Sequence, residues 1–298
     1  MASQDDIRTQ ITQQIVEALE SGDVPPWRRP WAGGGLPQNA ATGNRYGGVN
    51  VLLLQHASLD SGFASPLWAT YRQWQSAGCQ VGRGRRGTKI VFYRPLTKVV
   101  TDRRTGEERE ESFPLLKTYS VFNLDQVEGE VVERLRAEHA GPIRADFVDF
   151  GPAEEAIRAT EADVRFGGDR AFYDRTGDYV QMPHKRQFDP PHEFYTVLFH
   201  ELAHWCGHPL RLNRAAGDRF GDSRYAQEEL VAELTSAYLL AETGVPQSDD
   251  LGGHNAYVAS WLKALHNDTR FIFRAATAAS KAADYVLDFS RRPVAVAA

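Results

Sequence analysis

The sequence predicts an α+β protein of two domains, and three observations carry that prediction. The chain has 298 residues, enough to bury two cores of ordinary size. Its charge is divided unevenly: between Pro25 and Lys98 ten basic residues face one acid, Asp60, a balance of +9 in a chain whose total is -5. Far from that segment, Phe199 to His208 reads FHELAHWCGH, with two histidines and a glutamate set at helical spacing. Opposite charge in the two halves implies two jobs. From Glu128 to Phe150 the composition turns acidic, so the expected division is a first domain over 1–130, a connecting helix over 131–150, a second domain over 151–290 and a frayed tail over 291–298.

Taking the elements in order, Ser3 can cap a helix in which Ile7, Ile11, Ile15 and Leu19 recur every fourth residue before Gly22, and it is expected to pack on its own domain. PPWRRPWAGGG then breaks regularity, which places Trp27 and Trp31 in a loop. VNVLLL from Val49 reads as a short buried helix, and Thr70 to Ala77 as another closed by Gly78. GRGRRG leads into TKIVFYR, a strand by alternation. Across the charged turn DRRTGEE, PLLKTYSVFN returns as a longer strand. EVVERLRAEH is a helix, and a further one is expected from Pro152 to Asp163, with Gly167 and Gly168 beyond it. RAFYD, RTG and DYVQMP form a strand, turn, strand unit whose edge could accept an extended peptide. Pro191 opens the helix of FHELAHWCGH, YAQEELVAELTSAYLLAETG forms the next, and Asn255 to Leu265 and Thr269 to Phe289 complete the set.

Several classes are excluded or disfavoured by composition. No long apolar run could span a bilayer, so no membrane partner is expected. MASQDDIRTQ lacks a basic leader with an apolar core, and Cys79 and Cys206 are the only cysteines, so a reducing cytoplasm is the expected location.

Within FHELAHWCGH, His200, Glu201 and His204 spell HExxH. Residues four apart share a helix face, so both imidazoles reach one point, and a carboxylate beside them can take a proton from water. Zinc suits such donors, with Mn2+ or another divalent ion as alternatives to Zn2+. A third ligand must come from elsewhere: three residues beyond Gly207 stands Leu210, which cannot ligate, and His208 would extend a straight row along one helix. In EELVAEL, Glu229 and Glu233 share one face of an otherwise apolar helix. We read Glu229 as the third metal ligand and Glu233 as the acceptor that orients a histidine ring, with the reverse order left open, and Glu228 as solvated. Glu201 is the expected catalytic residue.

The basic segment interleaves cations with aromatic rings, a mixture suited to single-stranded DNA, in which bases stack and phosphates are neutralised. The DNA-binding residues expected from it are Arg45, Tyr46, Trp68, Arg72, Trp74, Arg83, Arg85, Arg86, Lys89 and Arg94. No helix has a basic recognition face for duplex DNA.

The order of PW, RPW, LPQNAATGNRYGGVNVLLL, WATYRQWQ, the glycine-arginine loop before KIVFY, FHELAHW and EELVAEL resembles the ArdC-type antirestriction proteins of conjugative plasmids, across nearly the whole chain. The resemblance implies an N-terminal single-stranded-DNA-binding domain similar to that of TraC primases, without priming. It also implies a C-terminal zincin-like, SprT-like metallopeptidase domain with His200, His204 and an acid of EELVAEL at the metal. The biological role implied is protection of incoming plasmid DNA from host restriction. Two alternatives stay open: a DNA-binding module with a purely structural metal, and direct contact with the restriction enzyme as a decoy.

Overall fold

The structure, a computed structural model, describes residues 4–20, 36–63, 65–101, 108–138, 149–188, 190–214, 223–247 and 255–291. At 59, 93–101, 108–115, 137–138, 223 and 255–257 it describes the backbone alone. Trp27 and Trp31, the turn over 102–107, the connecting stretch 139–148 and the tail beyond 291 lie outside the described residues.

The four-residue recurrence of Ile7, Ile11, Ile15 and Leu19 forms helix α1 (Gln4–Glu20), with those side chains buried. Strand β1 (Gln38–Asn39) and helix α2 (Val49–Ser61) follow, then β2 (Leu67–Thr70) and α3 (Tyr71–Ser76). Thr70 caps α3 and Gln73 reaches back to the Thr70 amide, a reciprocal box that turns the chain sharply from strand to helix. Strand β3 (Gln80–Val81) leads to the long hairpin of β4 (Thr88–Thr101) and β5 (Glu108–Asn123), after which β6 (Val127–Glu128) pairs back on β3. The main sheet runs in the order β1-β2-β5-β4. The short β2, which the sequence reading missed, pairs antiparallel to β5 and seats Trp68 inside.

Helix α4 (Val132–Glu138) starts the connection, and α5 (Gly151–Ala159) has Pro152 in its first turn. The expected helix to Asp163 ends earlier: Asp163–Phe166 is strand β7, which lies parallel to β9 (Tyr179–Met182), itself antiparallel to β8 (Phe172–Asp174). Four helices complete the fold: α6 (Glu193–Cys206), α7 (Ser223–Thr243), α8 (Asn255–Asn267) and α9 (Phe271–Arg291). α7 packs on both α6 and α9, and the alanines of α9 permit that close approach.

The expected packing of α1 on its own domain holds in part, through β5, and extends to the second domain through α8. α1 lies on α8 and β5, and the Thr12 hydroxyl donates to the Thr269 carbonyl at 3.0 Å. One hydrophobic cluster joins α1 and α2 to the C-terminal helices, because the first domain lacks enough helix of its own to cover those apolar faces. Around Gly48 the contact is polar: its amide donates to Ser280 Oγ at 2.8 Å.

Candidate metal centre and nucleic-acid interface

Helix α6 buries Phe194, Tyr195, Leu198, Phe199, Leu202, Trp205 and Cys206, which fixes its rotation and leaves His200, Glu201 and His204 half-buried on the opposite edge. α7 crosses this edge with Glu229 and Glu233 buried in its apolar surface. His200 Nε2 lies 3.2 Å from His204 Nε2, 3.6 Å from Glu229 Oε2, and Glu229 Oε1 lies 3.6 Å from His204 Nε2. Donors about 2.1 Å from a tetrahedral ion stand about 3.4 Å apart, so these three can hold one metal ion. The chemistry of the set, two imidazoles and one carboxylate, fits as well as its spacing.

The outward nitrogens are also engaged. His200 Nδ1 faces Glu233 Oε1 at 3.2 Å, and His204 Nδ1 faces Glu228 Oε1 at 3.4 Å. Each carboxylate favours the tautomer with hydrogen on Nδ1, so both Nε2 lone pairs converge. Burial alone would lower the His200 pKa, but Glu229 and Glu233 outweigh it and hold the metal-free ring well above the usual histidine range. For Glu228 burial acts upward, yet His204 and Arg214 bring the carboxyl down to about 2.

Glu228 corrects the sequence reading, which left it solvated. Arg214 grips it with Nη2 at 2.6 Å and Nε at 3.1 Å, and the same Nη2 donates to the Ala203 carbonyl on α6. Gly207 makes this possible, since a Cβ there would meet Arg214 Nη2 at 3.0 Å. A second acceptor was foreseeable, because two ligating rings each need one. The loop that returns Arg214 was not. His208 turns aside, its Nδ1 accepting from the Leu210 amide, and Leu210 is exposed. Arg211, paired with Asp178 and stacked on Trp205, ties the β8–β9 turn to the end of α6.

The expected DNA-binding residues divide sharply. Arg72 on α3, Arg83, Arg85 and Arg86 in the loop before β4, and Lys89 on β4 are all exposed. Trp68 and Trp74 are corrected to core: both are completely buried, and the Trp74 indole donates to the Phe122 carbonyl at 2.9 Å, so neither ring offers a face to a base. Arg45 pairs with buried Glu242 of α7, which Arg291 also approaches at 3.1 Å; it clips the two halves together rather than lining the basic face. Tyr46 is half-buried against the Trp68 cluster, its hydroxyl accepting from Asn39. The Arg94 side chain lies outside the described residues. Among the described residues of this half, the large exposed rings are instead Tyr71, Phe92 and Tyr119, between 42% and 51% accessible, none of which is in the expected set of DNA-binding residues.

A helix bearing HExxH, crossed by a second helix that brings a carboxylate to both imidazoles, beside a small mixed sheet, defines a zincin-like domain. Residues 152–278 match the family model described as a zincin-like metallopeptidase, and residues 5–122 match the N-terminal domain of the anti-restriction factor ArdC. The chain belongs to the ArdC antirestriction family. It is 37% identical to the antirestriction ArdC protein of plasmid R388 in its metal-free crystal structure, covering 96% of this chain and 98% of that one with a TM-score of 0.78. The Mn(II)-bound structure of that protein matches at 34% identity, 95% and 97% coverage and a TM-score of 0.74. An uncharacterized protein of Sinorhizobium fredii is 36% identical over 94% of this chain and 91% of its own length. A DNA primase TraC of Escherichia coli is 36% identical over 96% of this chain, but the chain spans only 27% of that primase. Among the described residues no helix is long and apolar enough to cross a membrane.

Proposed function

We propose that this chain is an antirestriction protein that binds single-stranded DNA through its N-terminal basic face and carries a zinc-dependent peptidase site at the α6–α7 crossing. The observation that carries the peptidase reading is the triangle of His200 Nε2, His204 Nε2 and a Glu229 oxygen, with all donors within 4.8 Å of one another. His200, His204 and Glu229 would hold the ion, with Glu233 and Glu228 beside the outer nitrogens of the two rings. A zinc ion bound there would supply Lewis acidity and lower the pKa of a water. Glu201, between the two histidines on α6, would serve as general base toward a water and then as general acid toward the leaving amine. The Mn(II)-bound crystal structure of a relative supports the reading that a divalent ion is bound.

Glu228 supplies a direct test of the metal site. Replacing a carboxylate that orients a ligating imidazole weakens metal binding by about 10- to 100-fold. Glu228→Ala is therefore expected to lose zinc to a competing chelator at about one-tenth of the wild-type chelator concentration or less, with unchanged helical content. Wild-type zinc retention in this variant would remove Glu228 from the site.

For the DNA half, exposed Arg72, Arg83, Arg85, Arg86 and Lys89 favour phosphate, and no long helix presents them to a major groove. At matched salt, a single-stranded oligonucleotide is expected to bind about tenfold more tightly than the same sequence as duplex, with affinity falling as salt rises. Equal affinity for both forms would exclude the single-strand reading. The protective role is tested by plasmid transfer into a restricting recipient. Loss of protection in a variant that no longer binds single strands supports shielding, whereas capture of the restriction enzyme without DNA supports a decoy.

A further inference from the structure

The arginine loop is held rigidly beside an aromatic cleft. Gly82 donates to the Gln126 carbonyl at 2.9 Å, Gln126 Nε2 donates to the Arg86 carbonyl at 2.9 Å, and Gly84 adopts φ +79°, where a side chain would be strained. Gly82 also lets the stem of Arg85 lie against the backbone, with Arg85 Cγ 3.4 Å from where a Cβ would stand. Next to this loop Tyr71, Phe122, Arg83, Arg85 and Glu128 line a cleft of about 430 Å³. Tyr71 is 42% exposed and stands edge-on to Phe122 at 6.4 Å, its hydroxyl fixed by Gln80 Nε2 at 2.9 Å.

Charge in the cleft is arranged for a ligand rather than for the protein itself. Among the described residues no carboxylate pairs with Arg83, Arg85 or Arg86, and no cation pairs with Glu128. Unpaired guanidinium groups on a pinned loop suit phosphate, and an exposed ring beside them suits a base. Glu128 is the discordant group, since a carboxylate repels a phosphate. As an acceptor with two oxygens and no donor, it suits a base edge that presents two adjacent donors. Guanine has such an edge in N1–H and its exocyclic amine, whereas thymine flanks its one donor with two carbonyl oxygens.

We propose that this cleft takes one unstacked guanine of a bound strand, its face on the Tyr71–Phe122 pair, its N1–H and exocyclic amine donated to Glu128, and its flanking phosphates on Arg83 and Arg85. The proposal rests on the single-strand reading above and adds base preference to it. It also gives a role to Glu128, the one acid among the charged residues that line the cleft.

The test is fluorescence anisotropy with the full chain and strands of about twelve nucleotides at fixed salt. One strand is all thymine; the others carry a single central guanine, adenine or cytosine. One guanine is expected to raise affinity about tenfold over all-thymine, with adenine and cytosine well below it. Tyr71→Ala is expected to lower affinity about tenfold for every strand. Glu128→Gln is expected to abolish the guanine advantage while all-thymine affinity stays within about twofold of wild type. Both side chains are exposed, so melting curves should not move. If wild type binds the strands but one guanine adds nothing, or Tyr71→Ala binds like wild type, the guanine cleft is overturned and the single-strand reading stands. If wild type binds no strand, the single-strand reading falls with it.

Discussion

Glu201→Gln is expected to keep its metal and lose peptide hydrolysis by about 100- to 10,000-fold, the range that a positioned general base contributes. Glu201 lies between His200 and His204 on α6, half-buried, and is not among the three groups that can hold an ion. Glutamine matches it in size but carries no negative charge to accept a proton, so the change removes chemistry without removing a ligand. Single-strand affinity should be unaffected, because the exposed arginines belong to the other half of the molecule. His200→Ala contrasts with it, since it removes one of three donors and strands Glu229 and Glu233 as facing buried acids, so metal and stability fall together. Zinc content by atomic absorption and cleavage of an unfolded protein substrate separate the two variants. Hydrolysis by Glu201→Gln at the wild-type rate would end the peptidase reading. Protection of plasmid DNA retained in a Glu201→Gln protein that has lost cleavage would separate antirestriction from proteolysis.

The metal centre was far more legible in the sequence than the DNA face, for a physical reason. Four-residue spacing on a helix fixes which side chains share a face, so His200 with His204, and Glu229 with Glu233, could be paired without knowing how α6 meets α7. The crossing itself, and the return of Arg214 that draws Glu228 inward, depend on contacts distant in sequence. The basic segment offers no such periodicity. Trp68 and Trp74 sit among arginines in the sequence, yet each follows or lies in an element of only a few residues whose face is set by β5 and α2. Large rings on such elements fill the interior first, which left Tyr71, Phe92 and Tyr119 outside. β7 was hidden because DVRF has no strand partner nearby in sequence; its parallel mate β9 begins thirteen residues after β7 ends.

A fragment ending at residue 130 is expected to fail to fold, although a family model matches residues 5–122 as a domain. α1 buries Ile7, Ile11, Ile15, Val16 and Leu19 partly against α8, and α2 meets α9, so the cut would leave these side chains in water. Full burial of one such side chain is worth about 1.5–3 kcal/mol, and losing even half of that at five positions removes about 4–8 kcal/mol. Whole domains are stable by only about 5–15 kcal/mol. The cut also removes Glu242, the buried partner of Arg45, and Ser280, which holds the Gly48 amide. Circular dichroism and amide dispersion of the fragment should show a largely unfolded or aggregating chain, whereas the full chain should melt in one transition followed equally by tryptophan fluorescence and helical signal. A fragment with a cooperative melt near that of the full chain would show that the shared core is not needed by the first half. The expected result bears on function through the same contacts. On the proposed function, a DNA-binding half that cannot stand without α7, α8 and α9 would hold the metal site at a fixed distance from the bound strand, and the substrates of that site would be those met at DNA.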